Sequence, residues 1–235
     1  MYILAIETTG AFASVALMQD GKIIGHVKGG DRFSHLQNLM PQIDEVTRDN
    51  QLSINDINAI AVSNGPGSFT GIRIGVSTAR ALSQILNIPC VQVSSLEALA
   101  MRSGKEDVLV CPILDARRSQ VYGGGYYFKD GNMEEAVKAG PYTIMEFMEA
   151  VKDFDNVLFM GDGIDTCGAK ILEARETGVE FCEEDIRYQD AVTVAKLGEK
   201  LLAAGQGRAY NDVQPEYMRI AEAERKLKEQ QAQEK

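Results

Sequence analysis

The chain opens with short apolar runs separated by polar turns. Tyr2-Ile3-Leu4-Ala5-Ile6 predicts a buried strand, Glu7-Thr8-Thr9-Gly10 a turn, and Ala13 to Met18 a second strand. Gln19-Asp20-Gly21-Lys22 turns again, and Ile23 to Lys28 makes a third strand. Asp-Gly at the second turn is a good hairpin signal, so two successive hairpins are expected in the first 30 residues. From Ser34 the period changes. Leu36, Leu39, Met40, Ile43 and Val46 recur on one helical face, and Ser34 with Gln37 has capping-box spacing. Pro41 lies inside this run. Lacking an N–H, it should bend the helix or leave the Gln37 carbonyl free. Ser53 is a candidate cap for a short turn at Ile54 to Ile57, and Ala59 to Ser63 returns to strand.

The stretch SNGPGSFTGIRIG, residues 63–75, follows that strand and opens a helix running from Ile72 to Leu86. Glycines let backbone approach closely, and the first free N–H groups of a helix can point at an anion. The stretch matches neither standard phosphate loop: no Lys follows the glycines, and Gly65, Gly67 and Gly71 lack the dinucleotide spacing. A tight turn that binds nothing remains an equal reading. The helix itself is apolar nearly all round. Gly71, Gly75, Thr78, Ala79 and Leu82 share one side, with Ile72 and Val76 beside it, while Ile74, Ala81 and Ile85 share another. Gly inside a helix costs about 1 kcal/mol relative to Ala, which a close helix–helix contact would explain. The sequence thus suggests a partner interface built from Leu36, Leu39, Met40, Ile43, Gly71, Ile72, Gly75, Val76, Ala79 and Leu82; a helix sandwiched within one domain is the alternative.

Pro89 ends that region. Val91 to Val93 is a strand and Leu96 to Met101 a helix. The polar run Ser103-Gly104-Lys105-Glu106-Asp107 then separates two apolar sections. The second section predicts strands at Val108–Leu114, Ser119–Phe128 and near Glu134–Ala139, then a helix at Thr143–Val151 with Thr143 and Glu146 as capping pair. A strand at Val157–Met160, a helix at Ala169–Glu176, a short strand at Val179–Phe181 and a helix at about Ala191–Ala204 complete it. Each half repeats strand–strand–strand–helix–strand–helix. That order points to the duplicated α/β fold of actin, sugar kinases and the Hsp70 ATPase domain, two lobes each with a mixed sheet flanked by helices. The expected division is an N-terminal lobe at 1–102, a C-terminal lobe at 103–221 and a polar, frayed tail at 222–235.

Composition narrows the class. The chain of 235 residues can bury a real core. No apolar run reaches membrane-spanning length, and the N-terminus, interrupted by Glu7, lacks the basic-then-apolar pattern of a signal peptide, so a cytoplasmic protein is expected. Cys90, Cys111, Cys167 and Cys182 form no C-x-x-C pair and read as reduced packing residues. The net charge of −10 lies in the body, because residues 222–235 carry four charges of each sign. Such a body repels phosphate backbones, so direct RNA binding needs a local basic patch or a basic partner.

Four places carry candidate chemistry. In active members of the fold, the turn after the first strand holds an acid and phosphate contacts; Glu7, Thr8 and Thr9 occupy it here, and Glu7 reads either as a metal's water-mediated partner or, in preference, as a solvated turn residue. His35 is followed four residues later by Leu39, so no helical metal-binding pair exists, and His26 is the only other histidine. Asp115 with Arg117 and Arg118 can form a site facing the cleft or, in preference, a buried or partly buried Asp–Arg pair. Gly161-Asp162-Gly163 can receive an adenosine or be a strand-to-helix turn capped by Asp162. No catalytic residue, metal ligand or cofactor follows from these.

Together, LAIETT at 4–9, the Ser34-His35 pair, SNGPGSFTGIRIG at 63–75, LDARRSQVY at 114–122, GDG at 161–163 and PEYMR at 215–219 resemble the TsaB family, also called YeaZ-type proteins. The resemblance spans nearly the whole chain. It implies a non-catalytic subunit of the bacterial machinery that makes threonylcarbamoyladenosine in tRNA, with the transferase chemistry residing in the related subunit TsaD. It also implies a heterodimer with TsaD through the first-lobe helices, an ATPase partner TsaE, a homodimer through much the same surface, and tRNA contact only through the complex. TsaD's metal site begins with His-x-x-x-His on the corresponding helix, and Leu39 breaks that pattern here. An actin-fold ATPase or kinase, or a metallopeptidase-like protein, is the alternative class.

Overall fold

The computed structural model describes residues 1–30 and 34–219; the polar tail expected at 222–235 lies outside them. Two five-stranded mixed sheets form the body. The first contains β1 (Tyr2–Glu7), β2 (Ser14–Gln19), β3 (Lys22–Lys28), β4 (Ala59–Gly65) and β5 (Cys90–Ser94), in the order β3-β2-β1-β4-β5. The second contains β6 (Leu109–Asp115), β7 (Gln120–Lys129), β8 (Asn132–Thr143), β9 (Val157–Met160) and β10 (Val179–Phe181), in the order β8-β7-β6-β9-β10. Both orders are the same: two antiparallel hairpin steps on one side of the first strand, two parallel strands on the other. This is the duplicated fold of actin and the sugar kinases.

Among the described residues, six α-helices cover the sheets: α1 (His35–Asp49), α2 (Phe69–Leu86), α3 (Ser95–Met101), α4 (Ile144–Ala150), α5 (Gly163–Ala174) and α6 (Ala191–Ala203). Strand alternation assigns each face its helices. Leu4, Ile6, Val15, Leu17, Ile60 and Val62 meet α1 and α2 through Leu39, Ile43, Val46, Ile72, Val76 and Ala79. The opposite face, Ile3, Ala5, Ala16, Met18, Ala59 and Ala61, meets Val194, Ala195 and Leu197 of α6. Its small side chains let α6 come close: a Cβ on Gly198 would stand 2.4 Å from the Ala61 Cβ. All strands of the first sheet precede residue 102 and all of the second follow it, yet the helices cross over. α6 packs under the first sheet, while Leu96, Leu99 and Ala100 of α3 enter the second core.

Several local expectations change. Ser34 makes no capping bond to α1; its hydroxyl accepts from Asn38 Nδ2 at 2.7 Å. Helix α1 continues through Pro41. The capping boxes at Ser53 and at Thr143–Glu146 form. α5 starts at Gly163 rather than at Ala169, because Ile164, Cys167 and Ile171 already give it a buried stripe. β8 extends well beyond Glu134–Ala139, paired with β7 along most of its length. The four cysteines are buried thiols, and burial pushes the Cys90 thiol up to about 12. Among the described residues, no helix is long and apolar enough to cross a membrane.

Candidate functional site

The turn after β1 and the start of α2 form one unit. Glu7 is the last residue of β1 and is wholly buried, not solvated as the hairpin context suggested. Its Oε1 accepts from the Thr9 N–H at 2.5 Å and from the Thr9 hydroxyl at 2.6 Å. Burial raises the Glu7 pKa and outweighs the opposing effect of the Thr9 bonds. His35, also buried, places Nε2 2.9 Å from the Gly10 carbonyl, and burial lowers its pKa. A neutral imidazole donating to that carbonyl ties the turn to the first residue of α1.

Helix α2 closes over the same turn. Ser68 caps it, accepting from the Gly71 N–H at 3.2 Å, while the Ser68 N–H donates to the Thr9 carbonyl at 2.8 Å. The Thr8 hydroxyl donates to the Gly71 carbonyl at 2.7 Å. A Cβ on Gly71 would lie 1.9 Å from the Thr8 carbonyl oxygen, one on Gly75 2.3 Å from Thr8 Oγ1, and one on Gly67 2.4 Å from the Thr9 carbonyl oxygen. The glycines are therefore explained by contact with the chain's own turn, and two of the amides at the helix start already have partners.

This placement corrects the expected orientation of α2. Gly71, Gly75, Ile72, Val76 and Ala79 face their own lobe, as do Leu39 and Ile43 of α1, and Leu82 is half-buried against the same core. The physical reason is that Ile6 and Thr8 lie directly beneath the glycine stripe. Of the ten residues proposed as an interface, Leu36 and Met40 are exposed, at 76% and 52%. The outward face of α2 carries Thr70, Arg73, Ser77, Ala81 and Ile85, the last 78% exposed. The apolar side of α2 that carries Ala81 and Ile85 is the one presented to solvent.

In the second lobe, Asp115 and Arg117 form an ion pair, Arg117 Nη1 lying 3.3 Å from Asp115 Oδ2, with Asp115 partly buried and Arg117 exposed. The Arg117 N–H also donates to Asp115 Oδ1 at 2.8 Å. Asp162 does not cap α5. Its Oδ1 accepts from the Asp115 N–H at 2.9 Å, and burial, opposed by that bond, raises its pKa. Gly161 and Gly163 press on β6: added Cβ atoms would lie 2.2 and 2.8 Å from the Ile113 carbonyl oxygen.

A polar cluster that sequence reasoning missed sits where α3 and α6 meet. Asp190 caps α6 through Val192 N–H at 2.9 Å, and receives Arg102 Nη1 at 2.9 Å and His26 Nε2 at 3.2 Å. Burial opposes ionisation, but the bonds from His26 and Val192 and the charge of Arg102 hold its pKa at about 2. Its local signal was an Asp just before an apolar helix; its partners lie more than 80 residues away, on β3 and beyond α3. Among the described residues, no group of three or more His, Cys, Asp or Glu is placed to hold a metal ion.

Known proteins extend this picture. A family model described as TsaD, tRNA N6-adenosine threonylcarbamoyltransferase, matches residues 32–227. The tRNA threonylcarbamoyladenosine biosynthesis protein TsaB of Bacillus subtilis is 35% identical over 234 residues, covering 98% of this chain and 100% of that protein. TsaB of Escherichia coli is 29% identical over 234 residues, covering 97% of this chain and 98% of its own. The solved structure of YeaZ from Pseudomonas aeruginosa matches with a TM-score of 0.80 at 26% identity, over 92% of this chain and 99% of that one. The chain belongs to the tRNA threonylcarbamoyltransferase family, in its TsaB/YeaZ branch.

Proposed function

We propose that the chain serves the formation of N6-threonylcarbamoyladenosine in tRNA as a non-catalytic subunit in the cytoplasm. In this reading it pairs with a TsaD-like transferase through α1 and the outward face of α2, and with it recruits a TsaE-like ATPase. Alone, it self-associates through much the same surface, and tRNA reaches it only through the complex.

The observation that carries the pairing is the apolar exposure of Leu36, Met40 and Ile85 on two neighbouring helices. Leu36 and Met40 lie one helical turn apart on α1, and adjoining exposed apolar side chains mark interaction surfaces more often than scattered ones do. A stable contact buries roughly 1,600 Å² in total, within reach of two helices per chain. The non-catalytic role is supported by His35, whose ring is engaged with the Gly10 carbonyl, and by Leu39 where a second helical histidine would stand. The body's charge of −10 supports indirect contact with tRNA.

The test is co-purification with a TsaD-like partner, comparing wild type with Leu36→Glu/Ile85→Glu. Both residues are exposed, so circular dichroism melting should stay within about 1 °C of wild type, while pairing weakens at least tenfold. A double variant that pairs with wild-type affinity would move the interface elsewhere. Threonylcarbamoyl transfer by the isolated, metal-supplemented chain would defeat the non-catalytic reading.

A further inference from the structure

The segment Pro215-Glu216-Tyr217-Met218-Arg219 has no part in the sites above, yet it crosses the junction between the lobes. Just before it, Val213 is buried in the first core. The Gln214 carbonyl accepts from Asn64 Nδ2 at 3.2 Å and from Gln92 Nε2 at 2.7 Å. The Glu216 N–H donates to the Asn64 carbonyl at 2.8 Å. The passage is tight: a Cβ on Gly65, at φ +127°, would stand 2.4 Å from the Glu216 carbonyl oxygen.

The segment then grips α2. Tyr217 stacks on Phe69, the first residue of the helix, with ring centroids 4.2 Å apart and planes 6° from parallel. Arg73, one turn further, donates from Nε to the Tyr217 hydroxyl at 2.9 Å and holds its guanidinium 4.9 Å from the Phe69 ring centre. Met218 next packs into the second core, and Arg219 Nη1 donates to the Ala116 carbonyl at 2.7 Å, in the turn between β6 and β7. One short run of chain therefore holds the end of β4, the first turn of α2 and a second-lobe turn together.

We propose that residues 213–219 are an interlobe latch that couples the first turn of α2 to the β6–β7 turn. Val213 and Met218 anchor it in the two cores. Tyr217, 38% exposed, and Arg73, on the solvent face of α2, form the clasp between them. A movement of α2 at Phe69 and Arg73 pulls on Tyr217 and reaches Ala116 through Arg219, and the path runs equally well in reverse. Coupling of this kind is reciprocal. The inference concerns this chain alone and stands whether or not the partner reading above holds.

Hydrogen exchange on the full chain tests it, each end being perturbed and the other read. Tyr217→Ala touches neither Ala116 nor Gln120, whose reciprocal hairpin region is closed by Ala116 N–H to Gln120 O at 3.0 Å. With the latch, the hydrogen-bonded Ala116 and Gln120 amides should exchange about tenfold faster in this variant, within the usual range of coupling between sites. Arg219→Ala should likewise speed exchange at Gly71 and Ile72, with β1 amides unchanged in both. Tyr217→Phe keeps the stack and loses the Arg73 bond, so it should show the same pattern with smaller amplitude. Wild-type rates at Ala116 and Gln120 in Tyr217→Ala would overturn the proposal. So would an even rise over all amides, β1 included, in Tyr217→Ala and Tyr217→Phe alike, because the segment would then serve only overall stability.

Discussion

The two halves of the molecule share a sheet order but treat equivalent turns in opposite ways. Glu7 ends β1 and Asp115 ends β6, so the turns that follow them correspond. In the first half, Gly67, Gly71 and Gly75 lie against Thr8 and Thr9, residues of the turn itself. The helix therefore covers the turn, and Glu7 is sealed beneath it. In the second half, Gly161 and Gly163 lie against Ile113, two residues before the strand ends. The corresponding helix stops short of the turn, and Arg117, Arg118 and Ser119 remain exposed. They also adopt left-handed backbone in succession, with φ of 64°, 56° and 59°. The glycines before and within the helix thus meet the turn in the first half and the strand ahead of the turn in the second. Duplication supplies the scaffold, and the position of a few glycines gives each half its character.

The strongest way to break this comparison is to separate α2 from its turn. Gly75→Arg places a long charged side chain where a Cβ would already lie 2.3 Å from Thr8 Oγ1. Burying an unpaired charge and overpacking a core together cost more than about 4 kcal/mol. The expected outcome is loss of the fold, seen as a missing cooperative melt, rather than a folded chain deficient only in assembly. A folded Gly75→Arg variant would mean that α2 can lift off its turn at little cost.

Gly161→Ala makes the matching change in the second half. Its φ of 98° is unfavourable for any L side chain, and the new methyl would stand 2.2 Å from the Ile113 carbonyl oxygen. We expect a loss of about 2–3 kcal/mol, read from the urea midpoint at unchanged slope. The fold should persist, since a methyl is smaller than an Arg side chain and carries no charge. Equal damage from both variants would show that the second helix is as tightly seated as the first.

How far such contacts were legible in the sequence depends on their range. The hairpins of β1–β3 and the element order of both halves follow from local alternation and turn chemistry, which is why the duplicated fold could be read directly. The turn-helix pairing could not be. Gly71, Gly75 and Ala79 form a stripe that suits a partner helix or the chain's own turn equally well, and only the position of Thr8 separates the two. The same holds for Asp190: a cap is a local feature, but its bonds to His26 and Arg102 depend on α6 returning to the first sheet. Ser34 failed as a cap because a capping-box spacing states which residues can bond, not which competitor, here Asn38, takes the hydroxyl.

The buried acid gives a pH-dependent test. Burial raises the Glu7 pKa above its ordinary 4.5. A carboxyl with a raised folded-state pKa favours the folded state while protonated, and that contribution is lost as pH rises through the folded pKa. Glu7→Gln keeps an oxygen able to accept both Thr9 bonds and never ionises. Its melting temperature should therefore exceed that of wild type at pH 8, with the gap narrowing as pH falls towards 4.5. A constant gap across that window would mean that Glu7 ionises as freely inside the fold as outside it.

The smallest effect lies in the exposed turn, where the three left-handed residues store strain. A left-handed residue other than Gly costs roughly 1–2 kcal/mol, and Gly instead costs about 0.5–1 kcal/mol in unfolded-chain entropy. Arg117 is a poor site for the test, because its guanidinium also contacts Asp115 at 3.3 Å. Ser119 is exposed, and its neighbour Gln120 closes the hairpin through backbone bonds that a glycine at 119 leaves in place. Ser119→Gly should therefore stabilise the protein by about 0.5 kcal/mol, raising the melting temperature by roughly 1–2 °C for a chain of this size. No residue between Glu7 and Ala13 has positive φ, so no glycine substitution in the covered turn offers the same relief. If Ser119→Gly lowers the melting temperature, the left-handed run is held by its surroundings without strain, and the two turns differ in exposure alone.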